Sequence, residues 1–384
     1  MKTIAITGAG IGGLCAAIAL RQQGFTVLVY EAAPAVRAVG AGIVLAANAL
    51  KALAALGLQD QVVARGLQLS EFGILTADGQ ELRRIDSRSV SKRYGVPVGV
   101  TIARPVLHEL LLSQLPAGIV QTGKALTCFT QDKQGVRLHF ADGSSSQADA
   151  LIAADGLHSA VRRQLLPDVP LRYAGYTCWR ALASSVPVGF DFARATETWG
   201  PAGRVGLVPL AGGQVYWYAC LNAGPRNAEL SALTPKQLAG RFGHYHQPVA
   251  ELLAATPVAQ VLHHDILDFA PIRRFAYDWV ALLGDAAHAT TPNLGQGACQ
   301  AIEDAVVLAH SMARYPEMEA GLRAYEQRRV ARTTAVVNQS WRLGQVAQLE
   351  NPLLVRLRNA VLRRLPARMG EQQQAFLYNV DFQG

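Results

Sequence analysis

Residues 3–31 hold the feature that most constrains this chain. A short apolar strand, Thr3–Thr7, runs directly into Gly8-Ala9-Gly10-Ile11-Gly12-Gly13. Helical periodicity starts inside the glycine run, with Ile11, Leu14, Cys15 and Ile18 on one face. Gly24 closes that helix, and a second apolar strand, Phe25–Tyr30, ends at Glu31. Gly8 permits a tight turn, Gly10 lets backbone approach a pyrophosphate, and Gly13 lets the helix lie close to the strand. The helix N-terminus offers unpaired N–H groups to phosphate. Glu31 is placed to accept hydrogen bonds from both hydroxyls of an adenosine ribose, and an acid there disfavours a 2′-phosphate. The unit predicts dinucleotide binding, by FAD or NAD.

The rest of the chain decides between the two. Val280–Asp285 is a buried strand ending in Gly284-Asp285, where Asp285 is placed to bind a second polyol. It leads through Pro292 and Asn293 to Gly295-Gln296-Gly297, which opens a long helix and makes a second anion site. A plain NAD dehydrogenase has no evident use for this second cradle, whereas reduced flavin carries negative charge at its pyrimidine end. Leu151–Ser159 is a further strand with an Asp155-Gly156 turn and a Ser-capped helix, readable either as a cofactor contact or as one more βα turn. Arg104 precedes an amphipathic helix, within reach of the phosphates.

These motifs in this order resemble the single-component FAD-dependent aromatic monooxygenases of the para-hydroxybenzoate hydroxylase fold, over nearly the whole chain. Tyr173–Arg180 and Asn293–Gly297 look closest to the urate hydroxylase and zeaxanthin epoxidase-like bacterial branches. The resemblance implies an α/β fold: a Rossmann-type FAD-binding domain (1–70, 98–170 and 276–350) interleaved with a β-rich substrate domain (71–97 and 171–275), and a C-terminal helical segment (351–384). It places FAD against Gly8, Gly10, Ile11, Gly12, Gly13, Tyr30, Glu31, Arg37, Val44, Arg104, Leu126, Asp155, Gly284, Asp285, Pro292, Gly295, Gln296, Gly297 and Ala298. It implies hydroxylation or epoxidation of an aromatic, heteroaromatic or polyene molecule with O2, and NAD(P)H as a transient donor without its own domain. The alternative is a reductase of the same fold acting on an isoprenoid. Arg204 and Tyr216 match the urate branch's substrate-holding Arg and Tyr, with Arg204 alternatively a solvated surface charge. Cys178 stands where that branch has Asn, and Asn293 where it has an acid, which counts against urate itself.

Composition bounds the remainder. In 384 residues, 50% hydrophobic, a large core is available, and five scattered cysteines without Cys-x-x-Cys fit a reducing compartment. The net charge of +8 is diffuse, so nucleic-acid binding is not expected, and no metal set emerges from His263-His264-Asp265 or His244-x-His246. The glycines interrupt the apolar N-terminus, so neither signal peptide nor membrane span is expected, and the protein reads as cytoplasmic, monomer or homodimer. His288 reads as packing or cofactor shaping, not as a catalytic base. The segment 171–275 carries Trp179, Trp199, Tyr216, Trp217 and Tyr218, either core or pocket wall. Pro352–Arg368 is a basic helix whose Leu354, Leu357, Val361 and Leu365 are expected to dock on the protein, with weak membrane contact as the alternative.

Overall fold

The computed structural model describes residues 2–35, 41–183 and 185–382. Arg37 lies outside the described residues. Strand Thr3–Thr7 runs parallel to Thr26–Tyr30 on one side and Ala150–Ala153 on the other, with Ile4 level with both Val27 and Ala150. The sheet continues to Val120–Gln121 at one edge and to Val280–Leu282 and Ala276–Tyr277 at the other. Only that last pair is antiparallel. Both faces are covered, so Ile4, Ala5 and Ile6 are all fully buried, as the unbroken apolar runs of a parallel sheet require. Helix Ile11–Gln22 packs on helix Gly297–Arg314, with Gly12 set against Leu283 and Ala301.

Parallel pairing has a consequence for the motifs. Gly8, Glu31, Asp155 and Asp285 each follow the carboxyl end of a different parallel strand. The sheet therefore gathers four sequence-distant segments along one edge, where ligands of open α/β sheets bind.

A second sheet has seven strands in the order Leu262–Asp268, Arg172–Leu182, Gln214–Asn222, Gly203–Leu210, Arg194–Gly200, Glu71–Thr76 and Glu81–Asp86. Its two faces differ. Trp179, Trp217, Val205 and Leu207 pack beneath helices Pro235–Arg241 and Val249–Ala254 with Leu238, Phe242 and Leu252. The alternating positions Tyr176, Cys178, Tyr216, Tyr218, Cys220 and Arg204 take the other face, Cys178 level with Cys220 and Cys220 with Arg204. Trp179 and Trp217 are therefore core, and Tyr216 and Tyr218 are not part of that layer. Two three-stranded sheets complete the β structure, Ser145–Ala148 with Gly135–Phe140 and Leu126–Asp132, and Gly42–Leu45 with Val100–Ala103 and Leu67–Gln68.

Helix Met318–Ala347 spans the molecule, followed by Pro352–Arg364 and Ala367–Tyr378. The helix Pro352–Arg364 corrects an expectation. Its inward residues are Val355 and Arg358, while Leu354, Leu357 and Val361 face out at 48%, 62% and 50% exposure. The cause is Arg358, whose guanidinium donates to the carbonyl oxygens of Ala347 and Trp199 and turns the leucines away.

Candidate active site

At the first glycine loop the chain turns through Gly8 at φ +93, a conformation that side chains disfavour. A Cβ on Gly13 would lie 2.0 Å from the Gly8 carbonyl oxygen, whereas one on Gly10 would meet nothing within 4 Å. Gly13 thus answers to packing and Gly10 to open space at the helix tip. No side chain caps helix Ile11–Gln22, so its first N–H groups stay available. Glu31 is pinned at its strand end: Oε2 accepts from Ala9 N at 2.8 Å and Oε1 from Ala33 N at 2.9 Å. Tyr30 is buried, its hydroxyl 2.6 Å from Ser146 Oγ and its ring on Phe140.

Asp155 caps the following helix, Oδ2 accepting from Ala160 N at 2.9 Å, while its Oδ1 is buried with no hydrogen-bond partner among the described residues. Arg162 stacks on Phe269, 4.2 Å to the ring centre, and donates to the carbonyl oxygens of Leu157 and Ala286. It clasps the Asp155-Gly156 turn to the Gly284-Asp285 turn. The Asp285 side chain is exposed at the end of its strand, with protein packed around it. Burial pushes its carboxyl above the ordinary value, opposed by the charges of His288, Arg104 and Arg162. A Cβ on Gly297 would stand 3.9 Å from Asp285 Oδ1, which puts the two flavin-cradle segments side by side. Helix Gly297–Arg314 also has no side-chain cap among the described residues, leaving N–H groups of its first turn available. Gln296 directs its side chain elsewhere, into a buried cluster where Oε1 accepts from Asn48 and Gln300. Pro292 and Gly295 are exposed in the same loop, Arg104 is exposed at its helix start, and Val44 and Leu126 are half-buried in strands.

The tyrosine face of the second sheet meets this loop. Arg204 is buried, not a surface charge: Nε donates to Gln348 Oε1 at 2.8 Å, one terminal nitrogen to Glu197 Oε1 at 3.0 Å and the other to Asn293 Oδ1 at 2.8 Å. Tyr176 donates to the same Asn293 oxygen at 3.0 Å. Asn293 Nδ2 in turn donates to Thr291 and Ser340 O, so the loop is fixed from both sides. Tyr216 lies over Gly42, 5.9 Å from the Tyr218 ring, and burial pushes both phenols well above the ordinary value.

The open helix tip at Gly10, the unpartnered Asp155 oxygen and the exposed Asp285 beside Gly297 fit a dinucleotide stretched along one sheet edge. The chain matches the FAD binding domain family over residues 1–340. It belongs to that family. FAD is its cofactor, and the flavoprotein is an oxidoreductase, a monooxygenase. It is 38% identical to the aurachin C monooxygenase/isomerase of Stigmatella aurantiaca, with 94% of each chain covered. It is 34% identical to 2-heptyl-3-hydroxy-4(1H)-quinolone synthase of Pseudomonas aeruginosa, over 95% of this chain and 94% of that one. Among solved structures, Klebsiella pneumoniae HpxO complexed with FAD and uric acid superposes with a TM-score of 0.88 at 32% identity, covering 98% of this chain and 96% of the other.

Sequence reading missed the supports of the flavoprotein's cradle. Arg329, 1% exposed, donates from Nε to Asp304 Oδ1 at 2.5 Å and pairs with Glu303. Asp304 Oδ2 accepts from Gly284 N at 2.9 Å and stands 2.6 Å from His288 Nε2. Asp304 and Arg329 thus hold the Gly284-Asp285 turn through its backbone. Arg329 sits in an arginine-rich stretch that reads as solvent-facing, and nothing local marks it as buried.

Proposed function

We propose that this monooxygenase hydroxylates an electron-rich, uncharged heteroaromatic ring of the quinolone kind, taking electrons from NAD(P)H and one oxygen atom from O2. The observation that carries the substrate class is the condition of Arg204. Three of its five N–H donors go to protein oxygens, and buried Glu197 balances its charge. An anionic ring needs a cation whose charge is not already balanced, because an unpaired buried charge is costly. A neutral ring needs only aromatic walls and a few fixed polar groups. Tyr176, Tyr216 and Tyr218 supply the walls. Burial keeps the Tyr216 phenol protonated at neutral pH, so it serves as a hydrogen-bond donor to a ring carbonyl, not as a base. The quinolone named for the Pseudomonas aeruginosa relative agrees with this reading.

In this reading Gly10–Gly13 present N–H groups to the pyrophosphate, with Arg104 alongside. Glu31 and Tyr30 border the adenosine, Val44 and Leu126 flank the cofactor, and Asp155, Gly284 and Asp285 hold its middle. Pro292–Ala298 border the isoalloxazine. Bound FAD supplies the redox chemistry and the activation of O2. The chain's part is orientation and electrostatics: the uncapped N-terminus of helix Gly297–Arg314 favours negative charge at the flavin's pyrimidine end, and the tyrosine face excludes water.

The test is holoenzyme offered a 2-alkyl-4(1H)-quinolone, uric acid and 3-amino-4-hydroxybenzoate in parallel. The quinolone is expected to stimulate NAD(P)H oxidation with stoichiometric O2 uptake and a product heavier by one oxygen. Faster turnover of either anion would remove the substrate assignment, and NAD(P)H oxidation with a reduced product and no O2 uptake would favour the reductase alternative.

A further inference from the structure

We infer that the outward face of helix Pro352–Arg364 seats the enzyme on an anionic phospholipid surface. Leu353, Leu354, Leu357 and Val361 are 72%, 48%, 62% and 50% exposed, and no other element among the described residues carries more than one exposed large hydrophobic. At 100° per residue the four span an arc of about 100°, with Val355 opposite it and Arg358 about 40° beyond one edge. Arg364 lies inside that arc and Arg356 about 60° beyond its other edge, while Arg363 sits further round, toward Gln80. The stretch 351–369 contains five arginines and no carboxylate. Arg363 donates to Gln80, and no ion pair engages Arg356, Arg364 or Arg368 among the described residues.

Charge selects the occupant. A second copy related by a twofold axis would set these arginines against their own equivalents with no acid between them. Four side chains on one thirteen-residue helix also fall short of the area of a stable protein interface, roughly 800 Å² per partner. An anionic bilayer tolerates both features: leucines enter the acyl boundary while arginines stay at the headgroups. No helix among the described residues is long and apolar enough to cross a membrane, so the contact is peripheral. Arg358 ties the seated helix to the carbonyl of Trp199, two residues from Glu197 in the substrate sheet.

The experiment is sedimentation of FAD-loaded full-length protein with vesicles of equal phosphatidylglycerol and phosphatidylcholine, or of phosphatidylcholine alone. Protein is expected to pellet with the mixed vesicles, to stay in solution with the zwitterionic ones, and to be released by high salt. Leu353→Gln/Leu357→Gln/Val361→Gln and Arg356→Gln/Arg363→Gln/Arg364→Gln should each lower the partition coefficient at least about tenfold, with flavin content and thermal melting as in the parent. Equal binding by both triple variants, or none by the parent, would overturn the inference. So would a parent that ignores vesicles but self-associates in sedimentation velocity through the same leucines. None of these readouts depends on the substrate class proposed above.

Discussion

Gly10 and Gly13 stand three residues apart and answer to different demands. A methyl at Gly13 collides with the Gly8 carbonyl in the bare protein, while one at Gly10 meets only open space. Gly13→Ala is therefore expected to lower the melting temperature of the apoprotein. Gly10→Ala should melt as the parent does while its FAD dissociation constant rises about tenfold or more, since only close backbone approach to phosphate is lost. Melts of both apoproteins and flavin fluorescence titrations separate the two. Asp285 gives a prediction of mixed sign. Its carboxyl is raised in the folded state chiefly by burial, so its ionisation above that point costs the apoprotein stability. Asp285→Asn should melt higher than the parent at pH 7, with the gain vanishing below about pH 4, where the carboxyl is protonated folded and unfolded alike. The same change should weaken FAD binding about tenfold, the worth of one charged hydrogen bond. A variant melting lower at pH 7 would contradict this account. The glycines and both acids were legible from sequence, because strand, turn and helix signals sit next to each motif.

Between elements, the clamp of helix Gly297–Arg314 on helix Met318–Ala347 is ionic at its centre. Arg329 faces Asp304 and Glu303, all nearly solvent-free. Arg329→Met should cost about 3–5 kcal/mol in denaturant unfolding, because buried Asp304 and Glu303 lose their shared cation, Glu303 keeping only Arg332 and Asp304 only His288. Asp304 supplies the pH dependence. Burial alone would raise its carboxyl, but the charges of His288 and Arg329 outweigh burial and hold it well below the ordinary range. A carboxyl depressed in the folded state adds stability that is full above about pH 4 and is lost as pH falls toward the depressed value. Asp304→Asn should thus flatten the acid limb of the stability profile, measured by urea unfolding between pH 3 and pH 7. None of this clamp was legible: charged residues on a helix read as its wet face, and only packing of a second long helix turns that face inward. The helix Pro352–Arg364 erred the other way, its leucines reading as the docked stripe until Arg358 took that place.

At the scale of the molecule, the two sheets enclose the site between a carboxyl edge and a tyrosine face, joined by the Arg204–Asn293–Tyr176 contacts. In the proposed reading FAD lies along the first; as a ligand of the folded chain and not of the unfolded one, its removal should destabilise the whole. At FAD one hundredfold above its dissociation constant the gain is about 2.7 kcal/mol, roughly 3 °C for a chain of this length. Differential scanning of apo and holo protein checks it, and Gly10→Ala should reduce the shift. Sequence reading gave the family and matched Arg204 to a substrate-holding position, but it left open whether that arginine was a solvated charge or a partner of an anionic or carbonyl-bearing ring. Its burial beside Glu197, from a neighbouring strand, removes the first option and, within the second, argues against the anion.

The order of strand, glycine turn and acid along the chain already committed this protein to a dinucleotide-binding fold, because those signals act within a few residues, and the second cradle at Gly284–Gly297 pointed to FAD. What charge remains uncompensated in the pocket, and which face of the last basic helix meets solvent, are properties of side chains on different elements, from 7 to 159 positions apart. Only the packed structure brings Glu197 to Arg204, Asp304 to Arg329 and Arg358 to Trp199, and desolvation sets the worth of each contact.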